Sequence, residues 1–265
     1  MKNILVNDKG SVRFIEMNRP DFRNAFHPEM IAELTTVFKA VKEDTTIRAV
    51  VLSGAGKSFS AGADLTYMKS MAQFSEEQNI QDSRQLFAMF SEAFSCPVPV
   101  FGRVHGHVMG GAMGLISICD VVVAEASTQF AFSEVKLGLV PAVISPFVLS
   151  KASLSLASQW MLTGQIFTVT EAQQMGLVHY VGAENKIEEH LQKCIDSVLA
   201  AGPEAMKETK RLIRKVWQQS LAVTSPIAEE AIKVIAHRRV SAEGQEGLQS
   251  FFQKRKPAWC ESIKE

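Results

Sequence analysis

Neither sign of charge is in excess in this chain: 28 lysines and arginines face 28 aspartates and glutamates, and the pI lies near 7. Without a basic surplus there is no global field to gather phosphodiesters or anionic lipid, so nucleic acid and membrane are poor candidates for partners. A long apolar run is missing too. An uncharged stretch near the middle, Val108 to Cys119, holds three glycines and stops at Asp120, far short of the roughly 20 apolar residues a bilayer requires. The amino terminus, MKNILVNDKG, has three apolar residues between polar ones and lacks the core and cleavage site of a secretory signal. The expected location is therefore cytoplasmic. Cys96, Cys119, Cys194 and Cys260 are widely separated, with no CxxC and no neighbouring His pair, so they read as ordinary thiols and not as a zinc site or disulfide framework. No fixed-period repeat and no low-complexity tract is present.

What is present is material for a core. Apolar residues make up 46% of the 265 residues and charged ones 21%, ample for a packed globular protein. The first half alternates short β-branched runs with helical patterns. Ile4 to Val6 and Val12 to Met17 read as paired strands around a turn at Asp8, Lys9 and Gly10. Pro28 suits the first turn of a helix whose stripe is Ile31, Leu34, Phe38 and Val41. Further strands are expected at 47–52, 98–104, 121–124 and 177–181, and helices at 76–94, 111–118 and 154–162. Thr170 with Gln173 makes a capping box, and Gly176 stops that short helix. Beyond about Lys186 the pattern is helical, through Ile187, Leu191, Cys194, Ile195 and Val198, then Met206, Ile213, Val216 and Trp217. The expected organisation is an α/β body over residues 1–190 and a helical region over 191–265. Isolated helices are marginal in water, so that region must bury its apolar face on the body or on another subunit.

Several familiar motifs fail. Gly54-Ala55-Gly56-Lys57-Ser58 tempts a phosphate-loop reading, but position 51, where the first glycine belongs, is Val51. The last glycine of GxGxxG would fall on Phe59, and Gly56 to Ser60 has serine in place of the second glycine of a nucleophile elbow. Ser133-Glu134-Val135-Lys136 matches SxxK without its partner motifs. His105 and His107 lack a third ligand nearby, so no metal is expected.

Three segments have compositions that packing alone explains badly. In Ser58 to Leu65, small residues directly after a buried strand let a ligand approach the backbone and leave N–H groups free to face an anion. In Val104 to Gly114, a strand enters a glycine-rich turn that opens a helix, placing the Gly111 N–H at the positive end of the helix dipole. Together the two bends offer two donors to one developing oxyanion, or they are simply two tight turns. In Phe130 to Pro141, Glu134 is the only acidic residue of an apolar stretch. Burial there would raise its pKa toward neutrality and suit it to acid and base work; a surface position would instead pair it with Lys136.

At these segments the chain resembles the crotonase family, also called the enoyl-CoA hydratase/isomerase family, over nearly its whole length. The likeness is carried by Asn18-Arg19-Pro20 with Asn24-Ala25, Ser60-Ala61-Gly62-Ala63-Asp64-Leu65, His105-Gly106 through Gly110-Gly111, Cys119-Asp120, Ser133-Glu134 with Gly138, and Phe252 to Trp259. The resemblance implies a crotonase-like spiral of β-β-α turns with a helical carboxyl-terminal region, assembled as a homotrimer or homohexamer. It implies an acyl-CoA thioester as substrate, coenzyme A arriving as part of it and no separate cofactor. Ala61 and Gly111 match the oxyanion-hole donors. Arg23, Ala25, the loop Ala61, Gly62, Ala63, Asp64 and Leu65, and Gly110, Gly111 and Gly114 match the acyl-CoA surface, with Phe252 and Lys256 closing over the nucleotide.

Glu134 matches the second catalytic glutamate of the family's hydratases. The first would sit at position 114, where this chain has Gly114; Met113, Leu115 and Ile116 offer no substitute and His107 is distant. A two-carboxylate mechanism is therefore replaced by one in which Glu134 takes a proton from water attacking Cβ and returns it to Cα. The stretch from Ser133 to Pro146, together with Gly114, resembles the branch that handles methylglutaconyl-CoA and related branched or carboxylated chains. The expected activity is an enoyl-CoA hydratase, a lyase. The alternatives are decarboxylation or double-bond isomerisation through the same enolate, or a non-catalytic acyl-CoA-binding subunit. Phe87, Met89 and Phe90 are expected in the core and not at the substrate.

Overall fold

The computed structural model describes residues 1–216 and 225–258; Trp217, Trp259 and Cys260, named above, lie outside them. The chain begins with β1 (Ile4–Lys9), β2 (Val12–Met17), α1 (Pro28–Glu43) and β3 (Ala49–Gly54). Next come α2 (Leu65–Met71), α3 (Glu76–Phe94), β4 (Val100–Val104), β5 (His107–Met109) and α4 (Gly111–Ile118). Then follow β6 (Val121–Glu125), β7 (Gln129–Ala131), a 3₁₀ turn (Glu134–Leu137), α5 (Ser145–Leu149) and α6 (Leu154–Thr163). The rest is β8 (Phe167–Thr168), α7 (Val169–Gln174), β9 (Tyr180–Gly182), α8 (Glu184–Ala200), α9 (Pro203–Val216), α10 (Pro226–Val240) and α11 (Ala242–Phe252).

Six strands form one sheet in the order β1-β2-β3-β4-β6-β9, parallel except for the β1–β2 hairpin. A smaller sheet has the order β5-β7-β8, and Ser60 bridges Val108 at its free edge. The chain thus visits the large sheet, then the small one, then a helix, and repeats. The large-sheet strands of successive turns begin at Val12, Ala49, Val100 and Val121. Their unequal spacing is why no fixed period is visible in the sequence.

The inner strands β3, β4 and β6 are buried on both faces, as parallel sheets are. On one side Ile15, Val50, Leu52 and Val122 join the core made by α1, α3, α4 and α10. Phe87, Met89 and Phe90 are fully buried in it, with Phe87 and Phe90 against the Phe147 ring at centroid distances of 5.2 and 5.5 Å. On the other side Val12, Ala49, Val51, Phe101 and Val123 meet Ile187, Leu191 and Ile195 of α8. Arg48 binds the last carbonyls of that helix, at Val198 and Leu199.

Several expectations need correction. The boundary at residue 190 falls inside α8, and α10 shares the main core through Ala228, Ala231, Ile232 and Ile235, so this part of the helical region packs on the body. The third strand lies two residues later than 47–52 because its register is set by pairing with β2, Val12 opposite Ala49. The last strand is Tyr180–Gly182, with Leu177 and Val178 buried ahead of it. The capping box of α7 is Thr168 with Glu171, not Thr170 with Gln173. The short strands β5, β7 and β8 and helices α2 and α5 were not anticipated.

Candidate active site

Register in the small sheet places three segments side by side. Ser60 bridges Val108, and Val108 pairs with Phe130. Three to four residues beyond each of these positions lie Ala63, Gly111 and Glu134, which line one cavity of about 430 Å³. The spiral therefore delivers to a single rim the three bends that sequence composition singled out.

The loop after β3 is stitched from behind. Asn24, buried in the left-handed region at φ 54°, donates through Nδ2 to the carbonyls of Ala55 and Ser58, each at 2.8 Å. Arg19 donates to the Ala25 carbonyl at 2.6 Å and to Asp64 at 3.0 Å. Asp64 in turn caps α2, accepting the N–H groups of Thr66 and Tyr67. Burial pushes its carboxyl up, but the bonds from Arg19, Tyr67 and Thr66 outweigh it and hold it below the usual range. Gly62 turns at φ 90°, where a Cβ would stand 2.9 Å from the Met109 carbonyl oxygen, so glycine is needed for the two bends to meet.

The expected donor Ala61 is corrected by this loop. Its N–H is spent on the Arg23 carbonyl at 2.9 Å. Phe26 donates to Gly62 and Asp64 donates to Phe26, which leaves the Ala63 N–H without an acceptor among the described residues. Gly111, first residue of α4, is likewise without an acceptor, as helix-opening N–H groups are. Ala63 and Gly111 thus each bring an unspent N–H to the cavity.

Glu134 opens the 3₁₀ turn after β7. Its Oε2 is closed off from solvent with no hydrogen-bond partner, and no ion pair joins it to Lys136 among the described residues. Burial raises its pKa from 4.5 to about 7, its own backbone N–H only partly opposing. The carboxyl lies against the oxyanion bend: a Cβ on Gly110 would be 3.6 Å from its Oε1. An acid poised near neutrality thus stands beside two free main-chain donors.

Of the other expected contacts, Gly62, Leu65 and Gly110 line the cavity, whereas Arg23, Ala25, Asp64, Gly114, Phe252 and Lys256 do not. Arg23 and Ala25 contribute carbonyls to the stitching. Phe252 packs beside Lys69, whose Nζ is 5.2 Å from its ring centre, and Lys256 is exposed. Gly114 faces the core: a Cβ there would come within 2.7 Å of Ile144 and 2.8 Å of Phe90. The space in which a side chain at this position would stand is filled by those two residues. His107 does not substitute for the missing acid, since its Nδ1 is 3.2 Å from Ser58 Oγ and the residue is outside the cavity. His105 binds the Gly56 carbonyl at 2.9 Å. Among the described residues no cluster of three His, Cys, Asp or Glu could hold a metal ion. Sequence reasoning missed Phe251, Arg255 and Pro257, neighbours of the residues it chose, and Arg239 of α10.

Comparison with known proteins gives the family. The enoyl-CoA hydratase/isomerase family profile matches residues 7–262. The chain belongs to that family. A 2,3-dehydroadipyl-CoA hydratase of Escherichia coli is 30% identical, covering 97% of this chain and 98% of its own. An enoyl-CoA hydratase structure from Shewanella pealeana is 35% identical with a TM-score of 0.79, over 97% of this chain and 96% of that one. Another from Mycobacterium avium has a TM-score of 0.86 at 26% identity, over 98% and 100%. The fold is thus the crotonase fold and the protein is an enzyme of this family, acting on acyl-CoA thioesters. Among the described residues no helix is long and apolar enough to cross a membrane.

Proposed function

We propose that this crotonase hydrates the 2,3 double bond of an enoyl-CoA using Glu134 as its single acid–base group. The thioester oxygen accepts from the Ala63 and Gly111 N–H groups, which draws electrons from the double bond. Ionised Glu134 removes a proton from water as the water oxygen bonds Cβ, and the π electrons move to the thioester oxygen as an enolate. The enolate then takes that proton at Cα and Glu134 is ionised again. Each donor of such a hole contributes about 10²- to 10³-fold, and the acid–base group about 10²- to 10⁴-fold. Coenzyme A arrives with the substrate and no separate cofactor is required. The observation that carries the reading is the shielded, near-neutral Glu134 carboxyl beside the two unspent N–H groups.

The acyl chain we propose is branched, as in methylglutaconyl-CoA, following the resemblance of Ser133 to Pro146. The Escherichia coli relative is named for 2,3-dehydroadipyl-CoA, itself a thioester of a dicarboxylic acid. We also propose self-association into trimers or hexamers, since Leu154 and Leu162 of α6, Ile166 after it, and Leu212 and Ile213 of α9 are exposed.

The test is a panel of straight, branched and carboxylated enoyl-CoA thioesters assayed by loss of conjugation absorbance. Wild type should turn over at least one of them, and Glu134→Gln should lose about 10²- to 10⁴-fold; equal rates on every substrate remove Glu134 from the mechanism. The Phe90 and Ile144 packing over Gly114 favours a second reading, in which one carboxyl serves isomerisation or decarboxylation. Product mass separates the two, because only hydration adds water.

A further inference from the structure

We propose that Arg239 recognises a carboxylate borne by the acyl chain, so that the preferred substrate is an enoyl-CoA with a second, free acid group. The inference rests on the acyl-CoA reading above and assigns a specificity residue to the same cavity. Arg239 comes from α10, is 7% exposed and lines the cavity with Glu134 and Gly111. One of its nitrogens, Nη1, is held on Asp82 Oδ2 at 2.8 Å, Ser83 Oγ at 3.3 Å and Asn79 Oδ1 at 3.4 Å. Asp82 is itself fixed by the Tyr67 hydroxyl, which donates to its other oxygen.

Those bonds pin the guanidinium by one corner. Its Nε and Nη2 have no acceptor among the described residues. The two N–H groups on that edge are parallel and match both oxygens of a carboxylate. The cavity's other arginine differs: Arg255 commits Nε to Gln253 and both terminal nitrogens to Glu246. Lys136, also at the wall, is exposed. Arg239 is therefore the cation there that is both buried and half-satisfied.

An apolar acyl chain seated in this cavity would seal the free edge without partners. A carboxylate would pair it, and sites built this way reject analogues that lack the polar group. Asp82 cancels part of the positive charge, so recognition comes from directed N–H bonds more than from net charge. The expected discrimination is about tenfold to a hundredfold, that of a charge-assisted hydrogen-bond pair.

The experiment measures binding of saturated thioesters by titration calorimetry, which needs no turnover. Wild type should bind glutaryl-CoA about tenfold to a hundredfold more tightly than its terminal amide, and Arg239→Gln should bring the ratio close to one. Equal affinity of wild type for the two thioesters, or a ratio that survives Arg239→Gln, overturns the proposal. If Arg239 only ties α2, α3 and α10 together, both affinities fall in step and the ratio stays. Should Arg239→Gln fail to fold, the wild-type ratio decides by itself. A glutaryl preference in a protein that hydrates no enoyl-CoA refutes the hydratase reading alone; hydration that ignores the terminal acid refutes this one alone.

Discussion

Glu134 carries a stability cost that follows from its burial. Its folded pKa, about 7, lies above the ordinary 4.5, so between those values the folded chain holds the proton more firmly than the unfolded one. Stability therefore falls as pH rises from about 4.5 to about 7, and the full cost, about 3 kcal/mol, is present above that. Glu134→Gln should unfold at higher urea than wild type near pH 8 and at about the same urea near pH 5. Hydration needs the ionised form, so kcat/KM should decline below about pH 7 and level off above it; a flat profile through that range contradicts the proposed base. Gly114 makes the opposite case, a position given over to packing. Gly114→Ala should cost about 1–3 kcal/mol by overpacking Phe90 and Ile144. Gly114→Glu should lower stability in denaturant titrations without raising the hydration rate, and a faster enzyme would show that the carboxylate had found room. Composition singled out Glu134 and Gly111, which the fold brings to one cavity, but the choice of Ala63 over Ala61 was not legible. Which amide of Ala61-Gly62-Ala63 is free depends on the Arg23 carbonyl, brought there by a separate loop.

At the level of elements, the site depends on a short helix, α2, whose cap follows Ala63 directly. Asp64 caps α2 and pairs with Arg19, and it immediately follows Ala63. Asp64→Ala removes the cap, typically about 1 kcal/mol, and leaves Arg19 without its partner, so a total loss of about 2–3 kcal/mol is expected. Turnover on all thioesters should drop by one common factor as the Ala63 N–H loses its aim; a loss confined to one acyl class would place Asp64 at the substrate. Sequence signals worked well where an element announces itself locally. Helix α3 begins after the Ser75–Gln78 capping box and runs from Glu76 to Phe94 as expected. They failed where pairing decides. Thr168 and Thr170 each have Glu or Gln three residues on, and the helix starts after Thr168 because Phe167 is held on Phe130 in the small sheet. Strands of three residues, such as β5 and β7, leave too little alternation to be read.

At the scale of the whole molecule, α9 is anchored by two cations, and one of them, Arg214, donates to the Cys96 carbonyl at 3.2 Å. Lys210, 8% exposed, donates to the Val98 carbonyl at 2.6 Å and to Asp120, tying the helix to the start of β4 and to β6. Leu212 and Ile213 of the same helix remain 57% and 64% exposed. Sedimentation equilibrium should accordingly give three or six times the 29.2 kDa chain mass, with Leu212→Glu and Ile213→Glu together shifting it toward the monomer. A wild-type monomer at all concentrations would overturn the assembly. The sequence by itself determined the class of fold, the three bends and the lone acid, because apolar periodicity, glycine placement and a single carboxyl in an apolar stretch are local properties of the chain. Only the tertiary structure decided which amide is unspent, that position 114 is filled by Phe90 and Ile144, and that Arg239 reaches the cavity from α10. These depend on contacts between residues far apart in the chain, and no local pattern encodes which distant carbonyl, ring or carboxylate a group will meet.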